Sequence, residues 1–287
     1  MIVAGDLGEE KLAVFEYLRL SLAKPQQSDL LGSDGQPAKN IGRRKYLERI
    51  FAHDRWDFSY YGGAYTFLRD GIYGDVLVGR IGKQIIEPIH RGPDQGYAIE
   101  FQEEWKPIWM MLDLASDSQL ITLQTGLGSS RNLLRALFDH IETSTPASEY
   151  ESFIEYVADP KEFWQAVAAY RGQLTRLEFT FVPPNALGLE EKIKDIVMAA
   201  KGIGSETTKF VHSNKEGALN PTGEYVQAAL EKTAEGAGSV KLKSGRKTVY
   251  SSEKNRKTIS ISNDDVPSQK DDGAINGMLA RLGRPAE

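Results

Sequence analysis

From Lys11 to Ala23 the residues Leu12, Val14, Leu18, Leu20 and Leu22 share one parity, interrupted by Glu16. Side chains alternate across a strand with a period of two, so this stretch predicts a half-buried β-strand, with an amphipathic helix as the competing reading. A loop rich in turn formers follows ("KPQQSDLLGSDGQPAKN"). "RRKYLERIF" then predicts a short helix that carries Tyr46, Leu47 and Ile50 inward. From Trp56 the chain becomes aromatic and β-branched, punctuated by Gly62–Gly63, Asp70–Gly71 and Gly74. Asp-Gly between such runs signals a hairpin, and the stretch predicts an antiparallel meander continued by "GYAIEFQ" and "PIWMMLDL". The Trp56, Trp105 and Trp109 rings are expected in its core.

After Asp113 strand and helix patterns alternate. "QLITLQT" predicts a strand, and "SSRNLLRALFDHIE" a helix with Leu133, Leu134, Leu137 and Ile141 on its apolar face. "YESFIEYVA" predicts a strand, and "DPKEFWQAVAAY" a helix with Asp159 as N-cap and Pro160 in its first turn. "LTRLEFTFVPPN" alternates Leu177, Phe179 and Phe181. "LEEKIKDIVMAAKG", "ETTKFVHS" and "PTGEYVQAALEKTAEG" then predict helix, strand and helix. The order from Leu174 is β-α-β-α-β-β. The fold class is therefore α+β: an N-terminal antiparallel β-meander followed by one or two ferredoxin-like (split βαβ) α/β units. The expected domains are 1–115, β-rich; 116–262, α+β with a basic terminal hairpin; and 263–287, a flexible tail ending in a short Ile275–Leu282 helix.

Charge changes this picture at one place. "SVKLKSGRKTVYSSEKNRKTISIS" (239–262) sets Lys241, Lys243, Arg246, Lys247, Lys254, Arg256 and Lys257 against Glu253 alone. It carries +6 in a chain of net charge −5, which leaves −11 elsewhere. Read as a hairpin turning at Glu253–Asn255, with Ile259 and Ile261 inward, it is a cationic ribbon able to track phosphates. Cations on an outer strand also blunt a sheet edge against aggregation, and that reading stands beside the first. An acidic protein patch is a further candidate partner. The 287 residues hold one large or two modest domains and contain no cysteine, which removes disulfides, thiolate nucleophiles and Cys-based metal sites. The start lacks a signal-peptide pattern and no window approaches a membrane span. A cytoplasmic protein without membrane contact is expected.

Other patterns carry candidate chemistry. "PDQGYAIEFQEEWK" spells PD…ExK, the pattern of many metal-dependent nucleases, in which Asp94 and Glu104 would hold Mg²⁺ and Lys106 would orient the attacking water. Arg135 and His140 repeat the R-x4-H spacing of HEPN ribonucleases, but those are all-helical bundles. "TGLGSSRN" is a Gly-rich strand-to-helix turn without the Walker lysine or a third dinucleotide-type glycine. His53, His90, His140 and His212 show no ligand spacing.

The meander "SYYGGAYTFLRDGIYGDVLVGRIGK", then "LEFTFVPPN…EEKIKDIV" and a Lys/Arg-rich strand end, resemble in layout prophage and defence-island proteins, in outline the Rex-type exclusion proteins of lambdoid phages. The resemblance implies DNA or RNA binding in an antiphage system together with a partner protein, and it carries over no functional residue. The reading that follows is a nucleic-acid-binding protein using the basic ribbon. A Mg²⁺-dependent nuclease is the first alternative. The second is a structural or assembly subunit that binds a protein partner or a second copy.

Overall fold

The computed structural model describes residues 11–23, 42–115, 119–145, 149–182 and 207–284. The loop expected over 24–40 and the helix expected over 189–202 lie outside them. The described strands form two antiparallel sheets. The larger holds β1 (Leu12–Ala23), β2 (Arg55–Tyr60), β3 (Gly63–Tyr73), β4 (Val76–His90), β5 (Ile99–Asp113), β6 (Leu120–Gln124), β7 (Glu151–Tyr156) and β12 (Thr258–Ser262). The smaller runs in the order β11 (Lys247–Ser251), β10 (Gly238–Ser244), β8 (Arg176–Phe181), β9 (Thr208–Ser213).

β1 is the organising strand of the larger sheet. β6 lines one of its edges, while β12 pairs with Leu12–Glu16 and β7 with Leu18–Ala23 on the other, end to end. Its Leu18, Leu20 and Leu22 meet α1 (Arg43–Ile50) and α2 (Ser130–Ser144) on one face of the sheet, where Tyr46, Leu47, Ile50, Leu133, Leu137 and Phe138 close the core. Its Ala13 and Phe15 face the other side, under Ile275, Met278 and Leu279 of α5 (Asp272–Arg281). The strand is thus buried on both faces rather than one, as expected of a strand covered by helices on either side.

The flexible tail expected over 263–287 is instead docked through its described part. The Tyr73 hydroxyl donates to Asp272 at 2.6 Å and the Trp109 indole N–H to the Pro267 carbonyl at 3.0 Å, while Asp271 caps α5 by accepting from Ala274 N–H. The apolar stripe Ile275, Met278, Leu279 and Leu282 fills the sheet face that Phe15, Val78 and Met111 leave open, and that burial offsets the ordering cost of the polar segment before it.

The meander forms, with two corrections. Asp70–Gly71 is not a hairpin turn but a bulge inside β3, where the register shifts between Arg69 and Gly71. The bulge turns Asp70 inward against Arg80, which donates to it twice at 2.7 and 2.9 Å. The turns proper fall at Tyr61–Gly62 and at Gly74, all at positive φ. Of the three tryptophans only Trp109 is in the core. Trp56 sits half-buried at the rim, and Trp105 lies on an open face.

The expected domain boundary at 115/116 is also displaced. β6, α2 and β7 complete the larger sheet, the chain then leaves to build the smaller one, and it returns as β12. The smaller module, from α3 (Pro160–Ala169) to β11 with α4 (Glu224–Ala234), is therefore inserted between two strands that share one edge of β1. Asp159 caps α3 and Pro160 begins it, as the sequence indicates. In each sheet one helix joins two strands that run the same way around an antiparallel third: β6–α2–β7 around β1, and β9–α4–β10 around β8. These are split βαβ connections. A ferredoxin-like unit has two of them in one sheet, and the described residues show one per sheet.

Candidate nucleic-acid interface

The smaller sheet has one covered and one open face. Leu177, Phe179 and Phe181 of β8 and Val240 and Leu242 of β10 point toward α3 and α4, packing with Phe163, Val226 and Leu230. The opposite parity points outward: Arg176, Glu178 and Thr180 on β8; Lys209 and Val211 on β9; Ser239, Lys241 and Lys243 on β10. Register places Glu178 opposite Lys241 on one side and Val211 on the other, while Arg176 lies opposite Lys243.

Glu178 is the centre of this face and is only 5% exposed. Lys209 Nζ reaches its Oε2 at 2.7 Å, Arg176 Nε binds its Oε1, and Lys243 Nζ stands 3.8 Å from Oε1. The Lys209 hydrogen bond, aided by Arg176, holds the Glu178 carboxyl below the usual carboxylate range. Three cations therefore share one carboxylate, with Lys241 directly opposite it in register. Arg176 and Lys243, directly opposite each other, are a like-charge pair that by itself destabilises a sheet. Edge protection does not account for Arg176, Lys241 and Lys243, because β8 and β10 are the two inner strands. Among the described residues this face carries no aromatic ring. It offers cations and hydroxyls to a backbone of phosphates and no platform for base stacking.

The ribbon expected as one hairpin is divided. β10 and β11 turn at Gly245–Arg246, not at Glu253–Asn255, because Gly245 supplies the left-handed backbone (φ +57°) that a tight turn requires. Only Lys241 and Lys243 reach the open face, with Arg246 exposed at the turn beside them. Lys247 points to the helix side, where its amine donates to the Tyr170 hydroxyl at 2.8 Å. Lys254 is exposed in the following turn. Arg256 and Lys257 lie at the seam between the modules. Arg256 pairs at 2.6 Å with Glu16, buried in β1, and covers the Tyr156 ring at 5.1 Å; Lys257 lies over Tyr17 at 5.2 Å. Glu16, which interrupts the apolar parity of β1, is thereby explained. Arg131 joins the seam, bridging Glu253 at 2.8 Å and Glu155 at 3.0 Å, with Lys241 3.8 Å from the other Glu253 oxygen.

Arg176 and Lys209 were missed by sequence reasoning. Their signal is their parity opposite Leu177, Phe179 and Phe210, but only the register of β8 between β9 and β10 unites them with Lys241 and Lys243.

The nuclease constellation is not assembled. Asp94 lies in a 3₁₀ turn at the tip of the β4–β5 hairpin, whereas Glu104 and Lys106 lie back along β5. The five steps from Ile99 to Glu104 alone span ~16 Å of strand, beyond the reach of one shared ion. Among the described residues no group of three or more His, Asp or Glu side chains could hold a metal ion. The turn before α2 is an ordinary capped helix start, with Ser129 accepting from Asn132 N–H. His140 packs edge-on to Trp56. No described helix is long and apolar enough to cross a membrane. Set against known proteins, the chain matches no protein-family model and no curated protein.

Proposed function

We propose that this protein binds nucleic acid through the outer face of its smaller sheet, contacting the phosphate backbone without reading sequence. The observation that carries this is the cluster of Arg176, Lys209 and Lys243 around Glu178, with Lys241 beside it on the same face, on the sheet's inner strands and one neighbour. Glu178 fixes the cations in place, and their excess over it leaves an attractive field at contact even in an acidic chain, since distant acids are screened within ~8 Å at physiological salt. A role in antiphage defence, as the Rex-type resemblance implies, would make phage DNA or RNA the partner, met in the cytoplasm.

The test is binding of labelled duplex and single-stranded DNA and RNA across a salt series by wild type and by Lys241→Gln/Lys243→Gln/Arg246→Gln. Arg176 and Lys209 stay, so that Glu178 keeps its two nearest partners. The triple variant is expected to bind more weakly on every sequence and to lose roughly one unit of the log K–log salt slope per lost phosphate contact. Wild-type binding by the folded variant would remove the proposal.

A further inference from the structure

The distal halves of β4 and β5 leave the body of the larger sheet. β3 stops pairing at Lys83, and the seven pairs from Gln84–Trp105 to His90–Ile99 bond only to each other among the described strands. They form an arm of ~23 Å. Residues directly paired across antiparallel strands share a face, so Ile86, Pro88, Ile99, Phe101 and Trp105 lie together on one side, with Gln84, His90 and Glu103 among them and Glu103 accepting from the Trp105 indole N–H. The other side carries Glu87, Glu100, Gln102 and Glu104, with Ile85 and Ile89 half-buried among them. Phe101 is 74% exposed and Ile86 and Ile99 are each 59% exposed. Tyr97 is also exposed, in the turn at the tip. A two-stranded ribbon is marginal in water without a covered face. Exposed apolar patches of this kind mark interaction surfaces.

We infer that this face is an interface between two copies of the chain, packed arm against arm about a two-fold axis crossing the middle of the arm. Three features favour a second copy. The patch is built like half of a sheet-on-sheet sandwich, mainly apolar on one face and mainly acidic on the other, and an identical half completes it isologously. Between Lys83 and Lys106 the acids outnumber Lys and Arg, which disfavours nucleic acid or an anionic membrane as the occupant. The base of the arm supplies a receptor for the partner's tip. There, on the same face, a cleft of about 490 Å³ is lined by Arg55, Leu68, Arg80, Gly82, Trp105 and Pro107. In a two-fold pairing Ile99 and Tyr97 of one copy lie over this cleft in the other. With aromatic side chains covering ~150–250 Å² each, the exposed apolar set hides roughly 600 Å² per copy, and both copies together pass the ~1,000 Å² of a specific interface. Pro88 lacks the N–H that strand addition along the outer edge of β4 would use, which disfavours that edge as the contact.

The experiment is sedimentation of the full chain from 1 to 100 µM, with Ile86→Ser/Phe101→Ser as the variant, checked for an unchanged unfolding transition. Wild type is expected as a dimer in the micromolar range, with the variant at least roughly 30-fold weaker in self-association. Because the chain has no cysteine, Glu103→Cys on the apolar face and Glu104→Cys on the acidic face give a second readout. A short bis-maleimide should link the former into dimers and not the latter. A monomeric wild type at 100 µM overturns the inference, whether or not it floats with phosphatidylcholine vesicles. So does a dimer that survives the double variant, or one linked through position 104.

Discussion

Lys243 and Arg256 belong to the same basic segment, yet the fold gives them opposite work. At the seam, Arg256 meets the buried Glu16 and lies over Tyr156, Lys257 lies over Tyr17, and Arg131 ties Glu155 to Glu253. Cation and carboxylate there are close to balanced, and the charges join two modules. On the open face, Arg176, Lys209 and Lys243 share the single carboxylate of Glu178, with Lys241 across from it. There the cations are in excess, and about a third to a half of each side chain meets solvent. A cation therefore cannot be assigned a role from its neighbours in sequence. What decides is whether a buried carboxylate claims it and how many others make the same claim.

The largest expected effect breaks the seam. Arg256→Ala leaves Glu16 buried without its ion-pair partner and should cost about 3 kcal/mol in urea unfolding. Nucleic-acid affinity of the folded variant, measured in the cold, should equal that of wild type. A cost under ~1 kcal/mol would merge the two classes of cation.

Next is a contrast between carboxylates. Burial pushes Glu142 up to about 7, against the opposing effect of its hydrogen bond from Ser152 N–H, whereas Glu178 is held below its usual range. A raised carboxyl favours the protonated fold, so stability from Glu142 is full below ~4.5 and is lost as pH rises toward 7. A depressed one acts in the opposite sense: the contribution of Glu178 is present at neutral pH and fades as acid protonates it. Glu142→Gln keeps an oxygen for the Ser152 N–H. After a discount for partial exposure it should gain on the order of 1 kcal/mol at pH 8, vanishing near pH 4.5. An equal gain at both pH values would show that the effect is not titration.

The smallest expected effect on stability belongs to the open face. Lys241→Gln/Lys243→Gln/Arg246→Gln should shift unfolding by no more than ~0.5 kcal/mol, because exposed cations contribute little to folding. A large loss would reassign these residues to the seam's kind of work.

The sequence displays what is local. The strand character of Leu12–Ala23, the Asp159–Pro160 start of α3 and the apolar stripe of α2 are set by neighbours within one or two turns, and each element forms, although β1 is buried on both faces rather than one. What it hides is pairing between distant segments. "TISIS" alternates as any strand does, and nothing in it says that it joins β1 instead of the strand just before it. Asp70–Gly71 has hairpin chemistry, but the partner that makes it a bulge is Arg80, across a strand whose register was unknown. The cluster around Glu178 comes from three strands of the inserted module, so the parity of Arg176 and Lys209 could place them on a face but not beside Lys243. The nuclease pattern failed for the complementary reason: residues close in sequence were drawn apart by an extended hairpin.

The double pairing of β1 has a consequence for synthesis. Its second edge is shared by β7 and β12, and β12 follows β1 by about 250 residues, so at 5–20 residues per second it leaves the ribosome tens of seconds later. Until then the Leu12–Glu16 backbone is an unpaired strand edge in a nascent chain, with the place of α5 over Phe15 also vacant. The inserted module must fold or at least collapse within that interval for β12 to arrive beside β7. Crowded translation, slow codons after residue 160 or a missing chaperone should therefore reduce soluble yield before they affect the stability of protein already folded.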